Sequence, residues 1–220
     1  MRIPIWVKIG YTLFMCVLVP HYLRAYGPTN FLYFCDIALF MTLVAVWTET
    51  PLLVSAPAVG IFFPQFFWMF DFFGNLVGHP ITGMATYMFD SALPLFARFL
   101  SFFHFWLPIF LFWLISRLGY DRRAMRVWWV IAWIAMIISY LFLPPPPAPP
   151  DNPGLPTNVN YVYNVGGNKV QTLVHPHLYF IWIMGFMPLC IFWPTHRFLC
   201  WVFPEPTSKE NPIKEALRNE

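Results

Sequence analysis

Six stretches of the chain are apolar almost without a break: 5–23, 31–48, 52–72, 95–117, 126–143 and 177–198. Each approaches the roughly 20 residues that a helix needs to cross a bilayer. The pattern therefore predicts an all-α membrane protein, a six-transmembrane-helix bundle spanning residues 1–203, with a polar tail at 204–220. The third and sixth runs contain Pro57, Pro64 and Pro188. Membrane helices tolerate proline where neighbouring groups satisfy the carbonyls it frees. Between the runs, 73–94 is moderately apolar but broken by Gly and Pro, which predicts a loop with a re-entrant or surface-lying piece. Segment 144–176 opens on PPPPAPP, a stiff polyproline start, and continues as a loop.

Composition sharpens this. Hydrophobic residues make up 59% of the 220 and charged residues 10%, against about 25% charged in soluble domains. A soluble domain of this size has too little interior for so much apolar surface. The 11 Trp and 10 Tyr suit the membrane interface. A net charge of +3 with no basic block argues against nucleic acid as a partner. The four cysteines, Cys16, Cys35, Cys190 and Cys200, lie in apolar runs without metal spacing or a disulfide framework. Met1-Arg2 and Lys8 precede the first apolar run as in a secretion signal. No clean cleavage site follows, so a retained first helix is expected.

Lys and Arg set the orientation. Arg117, Arg122, Arg123 and Arg126 cluster between the fourth and fifth runs, which predicts a cytoplasmic loop. With six spans both termini are then cytoplasmic, where Arg2, Lys8, Arg197, Lys209, Lys214 and Arg218 agree. The expected location is a bacterial cytoplasmic (inner) membrane, with loops 73–94 and 144–176 facing outward. No internal repeat suggests an inverted-repeat transporter.

This orientation sorts the costly polar residues. Asn30 and His21 fall in or near the outer connection between the first two spans, and Cys35 and Asp36 about one turn inside. Gln65 and Asp71 lie in the outer part of the third. Arg98, Ser101 and His104 share one broad face of the fourth. Asn160 and Tyr161 lie in the outer loop, with His175 and His177 at the start of the sixth span. On the cytoplasmic side Lys8 can snorkel, and little else is polar. The convergence predicts an outward polar pocket, roofed by 144–176. An Asp36–Arg98 ion pair gluing two helices is the structural alternative. His175 and His177 alone make a weak metal pair, and His104 is the one His well inside a span, so neither metal nor haem is expected.

"NFLYFCDIALF" (Asn30 to Phe40) closely resembles an uncharacterised bacterial "membrane-associated protein" group. It resembles the YwaF-like integral membrane family more weakly. Cys35-Asp36 matches that family's early Cys-Asp pair. His104 in "FFHFWLP" matches its His in an aromatic helix, and Asn160-Tyr161 in "NVNYVYN" its late loop element. Its relatives include membrane-embedded lipid acyltransferases and hydrolases. The resemblance implies a lipid-acyl transferase or hydrolase with Cys35 as nucleophile and His104 as base. That pairing is chemically sensible, since an imidazole lowers a thiol pKa and shuttles its proton. Asp36 or Asn160 would orient the imidazole. Arg98 would hold a phosphate, and Gln65, Asp71, Asn160, Tyr161 and His175 would line the substrate site. Membrane lipids are the expected partners and no cofactor is expected. The alternative is a non-enzymatic scaffold, complex or oligomer subunit, or lipid-binding protein whose polar cluster is structural.

Overall fold

The computed structural model describes residues 2–152, 154–165 and 169–204. From residue 205 on, the predicted polar tail lies outside them. The described residues contain helices α1 (Ile5–Tyr26), α2 (Phe34–Thr48), α3 (Pro51–Leu76), α4 (Leu95–Ser101), α5 (Phe103–Leu118), α6 (Ala124–Phe142), α7 (Pro176–Phe186) and α8 (Trp193–Val202). Three 3₁₀ turns and one π turn complete the elements, and no strand occurs among the described residues.

Five helical segments are long and apolar enough to cross a membrane: Ile5–Tyr26, Pro51–Leu76, Leu95–Leu118, Ala124–Phe142 and Pro176–Val202. Their outer faces stay apolar, with Trp6, Leu13, Phe99, Leu141 and Trp201 exposed. This is the architecture of a multi-pass membrane protein. The sixth expected span, α2, has only 15 residues, about 22 Å at 1.5 Å per residue. Its first expected residues instead form a 3₁₀ turn, Pro28–Leu32.

Two expected helices are broken. At Phe102 the chain tightens to 3₁₀ bonding: the Phe102 N–H reaches Phe99 O at 3.1 Å and the Phe105 N–H reaches Phe102 O at 3.0 Å. This separates α4 from α5 and leaves Ser101 O to the His104 ring. The last span is interrupted by the π turn Met187–Phe192. Pro188 has no N–H for the carbonyl four residues back, Met184 O. The Trp133 indole N–H from α6 donates to that carbonyl at 3.0 Å, which is how a neighbouring helix makes an intramembrane proline tolerable.

The central helix is α3, which packs against α2, α5, α6 and α8. Gly60 lets α6 approach: a Cβ there would lie 1.8 Å from Trp128 Cε2, inside the indole. The bundle has two ends. The arginine end carries the 119–123 turn and the α2–α3 corner, and the loop end carries residues 77–94 and the described part of 143–175. At the arginine end Lys8 does not snorkel. It is 2% exposed and its ammonium meets Glu49 Oε1 at 2.8 Å. Glu49 also accepts the Arg2 N–H at 2.9 Å, so one carboxylate ties the chain's start to that corner.

Candidate functional site

The loop end is where most of the predicted polar residues gather. Asn160 comes from the distant loop and caps α2. Its Oδ1 accepts the Phe34 N–H at 3.0 Å and its Nδ2 donates to Leu32 O at 2.8 Å. A helix start buried at this depth needs such partners, and α2 draws them from 126 residues away. The left-handed backbone of Asn160, φ 56°, is one that Asn adopts more readily than most residues. The following Tyr161 O accepts from the Tyr179 hydroxyl at 3.0 Å, fixing the roof to α7.

Under that roof lies the Cys35-Asp36 pair. Asp36 is 2% exposed. Its Oδ2 accepts from Asn30 Nδ2 at 3.1 Å, while its Oδ1 is buried without a partner. The hydroxyls of Tyr22, Tyr33, Tyr87 and Tyr161 all lie within electrostatic reach of Cys35. Burial first, and the Cys35 charge second, raise the phenol pKa of Tyr87 and of Tyr161, the latter to about 12. Both phenols therefore stay neutral hydrogen-bond donors at ordinary pH.

A second group adjoins the first. Tyr22 Oη lies 2.8 Å from Ser101 Oγ. His104 Nδ1 lies 2.7 Å from Ser101 O. A carbonyl only accepts, so Nδ1 carries a proton and Nε2 of the neutral ring is the basic nitrogen. The imidazole is stacked 5.2 Å from Trp68 and 4.1 Å from Phe103. No hydrogen bond joins Cys35 to His104 among the described residues, so the expected dyad is not assembled in this structure. The Asp36–Arg98 ion pair is also not formed. Arg98 Nη1 instead donates to Met88 O at 3.3 Å, while its Nε is buried without a partner. Gln65 Oε1 is likewise buried and unpartnered, whereas the Trp68 indole meets the Tyr87 hydroxyl.

The remaining predicted residues serve the scaffold. The Asp71 carboxylate is fully buried. It takes the N–H groups of Ile81, Thr82 and Gly83 on one oxygen, at 2.8, 2.6 and 3.0 Å, and that of Ala85 on the other, at 2.7 Å. It organises the start of the loop and has no capacity left for a substrate. That is also why 77–94 folds back on α3 as a loop, with the single turn Thr86–Phe89 within it. His175 caps α7 by accepting the His177 N–H, and His177 Nδ1 lies 2.6 Å from Tyr140 Oη. No group of three metal-ligating side chains occurs among the described residues. An open groove of about 460 Å³ runs between α1 and α5, lined by aromatic residues such as Trp6, Trp106 and Trp113. It is apolar and separate from the polar cluster.

The arginine end holds a constellation that the sequence reading missed. His196 Nδ1 lies 2.6 Å from Tyr120 Oη, and His196 Nε2 lies 3.6 Å from Cys200 Sγ. The available signal was the spacing: His196 and Cys200 are four apart in one helix, which puts them on one face. Tyr120 arrives from another turn, and no sequence spacing announces it.

Comparison with protein-family models, curated proteins and solved structures finds no match. The resemblance to the membrane-associated group rests on its short motifs alone.

Proposed function

We propose that this chain crosses a bacterial inner membrane six times with both termini cytoplasmic, and that its loop end binds the headgroup of a membrane phospholipid. The observation that carries this reading is the set of buried, unpartnered polar atoms at one end: Asp36 Oδ1, Gln65 Oε1 and Arg98 Nε. Each such group costs about 1–3 kcal/mol when left unmatched. The set contains both acceptors and donors, with a carboxylate and a guanidinium among them. A zwitterionic headgroup matches it, its ammonium toward Asp36 and its phosphate toward Arg98. The Asp36 part of this set lies beside the α2 start that Asn160 caps. The test is lipid retention by the purified protein, read by native mass spectrometry with phosphatidylethanolamine. Asp36→Asn should retain at least tenfold less than the parent. Equal retention would remove the reading.

Acyl transfer or hydrolysis at Cys35 is the second reading, favoured by the four tyrosine hydroxyls within electrostatic reach of that thiol. They offer donors to an ester oxygen as charge develops on it. It requires the His104 ring to leave its stack and bring Nε2 to the sulfur. Lipid turnover by Cys35→Ser and His104→Ala decides it, because unchanged activity in both variants leaves Cys35 no chemical role.

A further inference from the structure

The one cysteine with an imidazole in hydrogen-bond reach, among the described residues, is Cys200. From the geometry of that pair we infer that Cys200 is a nucleophilic thiol, acylated by a long-chain acyl thioester on a phosphate-bearing carrier at the arginine end. This inference does not depend on the lipid site at the loop end.

The arrangement has the parts that activated nucleophiles share: a nucleophile, a base in reach, and a third group orienting the base. The sulfur lies 3.6 Å from His196 Nε2. Tyr120 holds the opposite ring nitrogen at 2.6 Å. With the proton on Nδ1, that N–H donates to the phenol oxygen and Nε2 is the basic nitrogen; Sγ lies 3.6 Å from Nε2 and 3.9 Å from Nδ1, beside the ring, and a turn of the Cys200 side chain brings it onto the Nε2 lone pair. Burial first, and the Cys200 charge second, raise the Tyr120 pKa, so the phenol remains neutral and keeps its place as the orienting group. Arg122 braces the same corner, with Nη2 reaching Cys200 O at 3.5 Å and Phe203 O at 3.4 Å.

The surroundings suit an amphiphilic donor. Trp193 and Trp201, at either end of α8, are 55% and 78% exposed and offer an apolar flank for an acyl chain. Arg197, one turn before Cys200, is exposed, and the Arg123 side chain, paired with Asp121 at 2.8 Å, is 73% exposed. Guanidinium groups so placed match phosphates. Cys16 and Cys190 are also free and exposed, but neither has an imidazole hydrogen-bonded to it, which makes them internal controls.

The step balances. His196 Nε2 takes the Cys200 thiol proton as Sγ attacks the thioester carbonyl carbon. The new carbon–sulfur bond forms, the old one breaks, and the departing carrier thiolate takes the proton from the imidazolium. The products are an S-acylated Cys200 and the free carrier thiol.

The experiment uses the full chain in nanodiscs with an alkyne-tagged C16 acyl thioester of coenzyme A. It reads hydroxylamine-sensitive fluorescence and intact mass. One chain per protein is expected. Cys200→Ser should lose at least nine tenths of the label, while Cys16→Ser and Cys190→Ser keep it. His196→Gln can still bond Tyr120 but cannot act as base, and should slow labelling at least tenfold at an unchanged melting temperature. Replacing Arg123 and Arg197 by Gln should raise half-saturation by the donor rather than lower the maximal rate. Label persisting in Cys200→Ser, or wild-type rates in a folded His196→Gln, would overturn the inference. If His196→Gln fails to fold, Tyr120→Phe replaces it, with slower labelling expected and an unchanged rate overturning the inference.

Discussion

The two ends of the bundle treat buried charge in opposite ways. At the arginine end the buried Lys8 meets Glu49 at 2.8 Å, and the rest of that carboxylate is taken up by backbone N–H groups. At the loop end Asp36 has one amide donor and no cation, and Arg98 reaches only a backbone carbonyl. An ion pair in a low-dielectric interior offsets its desolvation only when both partners are fully engaged. The arginine end meets that condition within the chain, and the loop end leaves capacity for something else. Asp71 sharpens the contrast, because it lies at the loop end and yet is saturated. Capacity for a ligand is thus a property of particular residues there, not of the end as a whole.

The contrast breaks first at Asp71. Asp71→Ala strands four N–H groups and should cost about 4 kcal/mol or more, roughly a 10 °C drop in melting temperature, read by thermal unfolding in detergent. A drop of only a degree or two would mean that the loop is held elsewhere. Asn160→Ala comes next. It removes the α2 cap and orphans Leu32 O, at about 2 kcal/mol, and proteolysis of the 144–176 loop should accelerate with it. Parent-like stability and digestion would show that the roof is not pinned by this residue.

The smallest effect tests the arginine end through pH. The Glu49 carboxyl is lowered from 4.5 to about 2, chiefly by the hydrogen bond from Lys8 and then by the Arg2 N–H. A carboxyl lowered on folding contributes its stability in full above its unfolded value and loses it as pH falls through its folded value. The melting temperature should therefore decline between pH 4.5 and 2, and Glu49→Gln should flatten that decline. Asp121, lowered chiefly by Arg123, leaves a residual slope. An acid limb of the same slope in parent and Glu49→Gln would remove the Lys8–Glu49 pair from the account.

The helical class and the membrane setting were legible in the apolar runs, because lipid imposes a length and a composition that few soluble sequences meet. The gathering of Asn30, Cys35, Asp36, Ser101 and Asn160 at one end was legible too, since position along the bundle follows from counting along each apolar run. Their pairings were not. A carboxylate such as Asp71 reads the same whether it faces a ligand or four backbone amides, and only the path of 81–85 decides. Lys8 reads as a snorkelling residue until Glu49 is found beside it.

By itself, the sequence determined that this chain is helical, apolar and rich in polar groups at one end, because periodicity and transfer energy act residue by residue. The tertiary structure decided which polar groups satisfy one another. Hydrogen bonds depend on distances of a few tenths of an ångström between residues up to 128 apart in the chain. For that reason Cys35 has no hydrogen bond to the His104 expected beside it, while Cys200, in no predicted site, stands 3.6 Å from a histidine nitrogen.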